Sequence, residues 1–397
     1  MDQRQGTAAG GLAVTDAPFA TWRLWLVLLG CAIPIQMTVT ASPFLNGVSM
    51  DARGLDSAQI GLVRTAEILT NASLQIWLSA RIIRFEPRTL ALIGVCLIGL
   101  GNLICTAGIG VWDLAAGRII CGAGAGSAAA ALGAFIAQTQ SPHRVVAGLA
   151  VPVTAAAILT SLGVGRAVEA FGQAGVFGIL ALGATVGFAF ALSAPGGRPH
   201  ARHAPKVNSM LGALRSPFVL ACLTLYIGST AVWHFFERIG ISHGLEPRQI
   251  GDLSAAVGLG CAVLAPLAAL VRDAAVRWGT LGALICFGIG SSTIPLSNSE
   301  TVYAAGFALQ SVAFAFWSIF APAVASRLDR TGGLAAAGNG WNALGNALSP
   351  AIGGALILGG SFAPLGALCI VASMVTVTLM TIATRNLPPA KPLAPPL

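Results

Sequence analysis

The sequence predicts an all-α polytopic membrane protein in which twelve transmembrane helices form two pseudo-symmetric six-helix bundles. Three observations carry this expectation. Of 397 residues, 55% are hydrophobic and only 9% are charged, at a mean hydropathy of +0.80, which lies far from the composition of a soluble domain. The apolar residues gather into runs of about 20, the number a helix rising about 1.5 Å per residue needs to cross about 30 Å of hydrocarbon. Finally, the octapeptide GLDSAQIG at Gly54 to Gly61 returns as GLEPRQIG at Gly244 to Gly251, 190 residues later, with five identities and an acid matched to an acid.

The predicted spans are 24–48, 59–80, 89–110, 113–138, 145–168 and 174–194, then 217–240, 250–271, 278–296, 302–325, 333–358 and 364–384. Helices are expected because lipid offers the backbone no hydrogen-bond partners. Each octapeptide follows the first long apolar run of its half and opens the second, so both occupy the same place in the same hairpin. The domains read as a tail (1–22), an N-terminal bundle (23–194), a linker (195–216), a C-terminal bundle (217–384) and a Pro-rich tail (385–397). The linker's APGGRPHARHAPK stretch carries His200, His203 and Lys206, a solvated basic segment without a closed set of metal donors.

Charge sets the orientation. Of the 22 Lys and Arg, Arg53 and Arg248 fall in loops on one side, Arg64, Arg118, Arg166 and Arg238 fall within spans, and the others lie on the opposite side with the N-terminus. Positive loops stay cytoplasmic, which places both termini inside a cell (inner) membrane. The net charge of +8 is then a topology signal, and no nucleic-acid partner is needed to explain it. The first 22 residues lack a basic region leading to a cleavage site, so no signal peptide is read. All eight cysteines fall inside spans and none has CxxC spacing, which argues against disulfides and a metal site.

A charged side chain near mid-bilayer costs at least about 2.5 kcal/mol and calls for a partner or a watery cavity. The second span has the densest set: Arg64, Glu67, Asn71, Gln75 and Ser79 recur at steps of three and four and share one face. Arg64 and Glu67 are spaced to pair directly. Glu67 reads either as a proton-carrying acid or as half of a structural ion pair. Arg118, about 9 Å inside the fourth span, is too deep to reach water easily. The seventh span carries Trp233, His234, Glu237 and Arg238. His234 and Glu237 share a face on which a proton could pass between them, while Glu237 and Arg238 also read as residues of the membrane interface, as do Arg166 and Glu169. Gln36 and Thr40, Gln310, and the one-face series Asn339, Asn342 and Asn346 complete a polar lining, with Trp233, Trp317 and Trp341 away from the interface belts.

Six spans, a basic linker, six spans and a repeated hairpin resemble the major facilitator superfamily over nearly the whole chain. LSARIIRFEPR (Leu78 to Arg88) stands where that family has a Gly/Asp/Arg-rich loop, keeping three arginines but neither glycine nor aspartate. GRIICGAGAG, with Arg118, Gly122, Gly124 and Gly126, resembles the family's Arg-x3-Gly-x-Gly pattern more specifically. GNALSPAIGG in the eleventh span resembles an antiporter motif that the family usually carries in the fifth span. Its displacement leaves antiport unassigned.

The resemblance implies a secondary transporter with alternating access, working as a monomer in lipid without cofactor or metal, in which a central cavity takes a small organic solute and protons supply the energy. Glu67, His234 and Glu237 are the candidate proton-coupling residues. Gln36, Thr40, Arg64, Asn71, Gln75, Arg118, Trp233, Gln310, Trp341, Asn342 and Asn346 are the candidate cavity residues. Two arginines against one acid in the first half favour an anionic or zwitterionic solute. Proton-driven efflux of amphipathic compounds and, more distantly, a non-transporting receptor are the alternatives. An enzyme is not expected, because no nucleophile, base or metal set stands at matched depth.

Overall fold

The computed structural model describes residues 22–108, 110–139, 141–194, 196, 210–271, 275–329 and 333–387. The tail before Trp22, most of the linker with His200, His203 and Lys206, the loop residues Arg272 and Arg330, and the tail beyond Leu387 lie outside the described residues.

The N-terminal half contains α1 (Trp22–Arg53), α2 (Ser57–Ser79), α3 (Pro87–Ala107) and α4 (Val111–Ala137). Residues Pro142–Ala191 then form one run broken at Gly172, whose φ of 56° and ψ of −136° suit glycine alone. Its legs, 142–171 and 173–191, are α5 and α6. After a single turn at Met210–Ala213 come α7 (Pro217–Ser242), α8 (Pro247–Leu264), α9 (Val276–Leu296), α10 (Glu300–Leu328), α11 (Gly333–Leu356) and α12 (Ala363–Thr384). Among the described residues these are twelve long helices, as expected.

The first helix differs from its expected bounds. α1 continues past residue 48 to Arg53 and so includes Asp51, an acid outside the predicted span. Helical backbone persists until Gly54 reverses the chain at φ 62°.

Among the described residues, nine helices are long and apolar enough to cross a membrane by composition alone, with Arg144–Ala191 counted as one. The long helices that fall short are α2 and α11. They carry the Arg64-to-Gln75 stripe and the Asn339-to-Asn346 series. Polarity in a spanning helix must face protein or water, so these two mark the interior of the molecule.

The repeated octapeptide is a structural unit with a purpose for each shared residue. Gly54 and Gly244 both take positive φ, 62° and 87°. Asp56 caps α2 by accepting the Gln59 N–H at 2.8 Å while Gln59 reaches back to the Asp56 N–H at 3.1 Å. Glu246 and Gln249 form the same reciprocal box on α8, with the Glu246 N–H 2.8 Å from Gln249. Ile60 and Ile250 are buried. Gly61 leaves no room for a Cβ against the Pro350 carbonyl of α11, and Gly251 none against the Ser161 carbonyl of α5. Both copies therefore seat one half of the protein against the other.

These contacts lie at the end that carries the α1–α2 and α7–α8 turns, here called the hairpin end; the opposite, linker end carries the start of α7. Packing differs between the two ends. At the hairpin end a single apolar core runs through both halves, joining Phe44, Ile60 and Phe177 to Phe235, Ile250 and Tyr303. Toward the linker end each half has its own core, one around Leu90, Ile98 and Phe135 and the other around Phe218, Leu284 and Trp317. The halves are fused at one end and separate at the other.

Candidate functional site

The densest charge in the interior sits where the fused end meets the cleft. Gly122 and Gly126 of α4 meet the backbone carbonyls of Glu67 and Asn71 with no space for side chains. The GxxxG spacing thus brings α4 hard against α2, and Arg118 reaches Glu67. Arg118 binds in a fork: Nε donates to Glu67 Oε2 at 2.9 Å and Nη2 to Oε1 at 2.6 Å. Its Nη1 donates to Asn102 Oδ1 at 3.1 Å, and the Asn102 amide is anchored on the Ile98 carbonyl at 2.8 Å. Phe177 lies beside the guanidinium, 5.9 Å from ring centroid to Cζ. Arg64 donates from Nη1 to Glu67 Oε2, the i to i+3 pair its spacing predicts.

All four polar residues are buried: Arg64 is 4% exposed, Glu67 5%, Arg118 1% and Asn102 0%. Two guanidiniums against one carboxylate leave one formal positive charge in the interior. Arg64 Nε has no hydrogen-bond partner. Asn102 did not emerge from the sequence, although a lone amide in the apolar run GLGNLIC was the available signal.

The other half contributes His234 of α7. It is 3% exposed, and neither ring nitrogen has a partner. Its backbone carbonyl accepts from Asn46 Nδ2 of α1 at 2.8 Å, another contact invisible to sequence reading. Glu237 is 1% exposed, so its carboxylate lies inside the protein. Its carboxylate lies directly on Gly47 of α1, and Oε2 has no hydrogen-bond partner. Arg238 Nε approaches that oxygen to 3.2 Å without hydrogen-bond alignment, while Arg238 Nη2 bonds Asp51 and the Gly47 carbonyl. No hydrogen bond joins His234 to Glu237; the α7 face they share is divided between Asn46 and Gly47.

Arg166 and Glu169 stand at the hairpin end, as expected, and they also reach across the halves. Arg166 pairs with Asp252 at 2.7 Å, and Glu169 accepts the Arg248 N–H at 3.0 Å.

The remaining predicted residues follow a gradient. Along α2, Arg64 and Glu67 are buried, Asn71 is half-buried and Gln75 exposed; along α11, Pro350 is buried, Asn346 and Asn342 half-buried and Asn339 exposed. Both helices open toward the linker end. Gln36 donates to Thr40 Oγ1 at 3.1 Å within α1. Trp233 stacks with Phe236 and Phe307 and donates to the Val39 carbonyl of the other half at 3.3 Å. Gln310 is half-buried. Trp341 and Trp317 belong to the C-terminal core.

A cavity of about 700 Å³ lies elsewhere, between α9 and α12 on an exposed face that includes Ile285, Ile289 and Met374. It is apolar, and Ser292, Thr293 and Thr378 spend their hydroxyls on their own helices. Nothing charged lines it.

Twelve helices in two six-helix halves, fused at one end around a cleft, can be compared with solved structures. A bacterial homolog of the human lysosomal transporter Spinster, in an inward-facing and unoccupied conformation, matches with a TM-score of 0.71 at 13% identity, covering 93% of this chain and 98% of that one. The fold is that of the major facilitator superfamily. A peptide transporter of the POT group in complex with sulfate matches at TM-score 0.70 and 14% identity, over 91% of this chain and 95% of that one. A D-xylose–proton symporter matches at TM-score 0.64 and 17% identity, over 89% and 96%. These proteins with the major facilitator fold are transporters, not enzymes. No family model and no curated protein matches the chain.

Proposed function

We propose that the protein is a secondary transporter that carries a small organic anion or zwitterion across the membrane by alternating access, driven by protons. One observation carries the reading. A buried cluster with a surplus positive charge and an unpartnered Arg64 Nε–H stands at the closed roof of a cleft formed by both halves. Removing an ion from water costs several kcal/mol even after relaxation, so an uncompensated buried guanidinium is expected where an anion binds during the cycle. By the distribution of basic residues, the hairpin end faces outward and the linker end faces the cytoplasm, so the cleft opens inward.

Two carboxylates are placed for coupling. Glu67 accepts three guanidinium N–H groups, and a proton arriving there has to displace one of them, which frees an arginine for the solute. Glu237 already has an oxygen without a donor, and it sits on α1 at the seam that closes the hairpin end. Protonation there removes charge from the contact between halves.

Counterflow in proteoliposomes with carboxylates, sugars and cationic dyes tests the class: carboxylates are expected to exchange, and dye exchange alone would favour the efflux reading. Glu67→Gln is expected to abolish proton-driven accumulation while exchange persists. Retained pH-driven uptake would make Glu67 structural and move coupling to Glu237.

A further inference from the structure

The cleft contains a second set of unpartnered atoms, of opposite character to Arg64. Asn71 of α2 and Asn342 of α11 each bury a side-chain oxygen, Oδ1, that has no hydrogen-bond partner. A buried amide oxygen left without a donor is costly, by about 1–3 kcal/mol, so two in one cleft call for an occupant.

The packing of α2 on α11 places the two residues at a similar level. The Ser57 carbonyl lies against Gly354, Gly61 lies against the Pro350 carbonyl, and the Ala351 N–H donates to Thr65 Oγ1 at 3.2 Å. The helices are antiparallel, so each step down α2 is matched by a step back along α11. Continued toward the linker end, the register of those two glycine contacts brings Asn71 opposite Gly340, within one turn of Asn342. Asn71 shares the Arg64 face, seven residues on. Asn342 lies on α11 between the edge that packs on α2 at Pro350 and Gly354 and the edge that packs on α7 at Gly338 and Gly345.

The cleft therefore has two poles. Near its roof is a donor, the Arg64 Nε–H. Seven residues nearer the open end, or about 10 Å along α2, are two acceptors. A carboxylate satisfies the first pole and leaves the second unmet; an amine alone does the reverse.

Resting on the anion reading above, we propose that the solute is a zwitterion whose carboxylate meets Arg64 and whose ammonium group, several bonds away, is held between Asn71 Oδ1 and Asn342 Oδ1. The span excludes α-amino acids bound through their own two charged groups, because those groups are too close to reach both poles. Chains that separate amine and carboxylate by five or more carbons fit. The two amides also sit on opposite halves, so the ammonium bridges α2 to α11 below the closed end.

The test uses purified full-length protein in detergent and three solutes sharing one chain: 6-aminohexanoate, hexanoate and hexylamine. Binding is read by titration calorimetry, and the wild type is expected to bind 6-aminohexanoate at least about tenfold more tightly than hexanoate, the factor that corresponds to about 1.4 kcal/mol. Asn342→Leu and Asn71→Leu should each bring 6-aminohexanoate down to the affinity of hexanoate without weakening hexanoate. Arg64→Gln should weaken both acids. If hexanoate binds as well as 6-aminohexanoate in the wild type, or if the asparagine variants weaken both acids alike, the second pole is overturned while the anion reading stands. If neither acid binds, or hexylamine alone binds, the anion reading falls and this inference falls with it.

Discussion

The two copies of the duplicated hairpin share a backbone and almost no chemistry. Gly54 to Gly61 and Gly244 to Gly251 build the same positive-φ turn, the same capping box and the same glycine contact across the halves. One turn further on they part. Arg64, Glu67 and Asn71 of α2 correspond to Ser254, Val257 and Cys261 of α8. The repeat keeps what closes the hairpin end, while the residues proposed to face the solute have no counterparts in the second copy. The seams differ in the same spirit: α2–α11 is held by hydroxyls and bare backbone, such as Ser57 Oγ on the Gly354 carbonyl at 2.7 Å, while α5–α8 adds the exposed Arg166–Asp252 pair.

The sharpest way to break this comparison is at Glu67. Glu67→Ala strands two buried guanidiniums and should lower stability by about 3–5 kcal/mol, the usual result of removing one partner from a buried ion pair. Val257→Ala, its counterpart in the second half, should cost about 1 kcal/mol. Thermal unfolding in detergent checks both, and similar losses would mean that the triad is not what distinguishes the halves. Gln at position 67 retains an acceptor oxygen, so the transport test above is milder on the fold.

Glycine substitutions ask whether the seams are equivalent. Gly61→Ala and Gly251→Ala each drive a methyl group into a carbonyl of the opposite half and should destabilise the closed hairpin end by about 1–3 kcal/mol. Spin labels at Asp56 and Gly359 for one seam, and at Gln173 and Glu246 for the other, should report longer distances in each variant. An opening in only one would show that a single seam governs closure.

The smallest effect belongs to the ionic pair at the surface. Arg166 and Asp252 are 45% and 42% exposed, so Asp252→Asn should shift the closed population by less than about 1 kcal/mol. The shift should vanish as salt is raised, since screening shortens to about 3 Å at 1 M. A salt-independent change in the same spin-label distances would assign Asp252 a different part in closure.

Much of the site was legible because membranes penalise polarity. A carboxylate and two arginines inside apolar runs demand explanation whatever the fold, and helical spacing put Arg64, Glu67, Asn71 and Gln75 on one face before any coordinates. Asn102, Asn46 and Asp51 escaped notice for a different reason: an amide or an acid near a helix end is unremarkable until its partner on another helix is known. The burial of Glu237 was not legible along its own helix, because it comes from α1 of the other half packing over it through Gly47.

Sequence alone determined the twelve helices, the duplication and the residues that lipid could not tolerate, because hydropathy, turn geometry and helical period are local properties. Only the tertiary structure decided which end is closed, which polar atoms found partners and which were left bare. Those outcomes depend on distances between helices far apart in the chain, set by glycines whose missing side chains let backbones touch. The repeated octapeptide belongs to both accounts: its turn and cap are written locally, and its last glycine acquires a purpose only when the other half is packed against it.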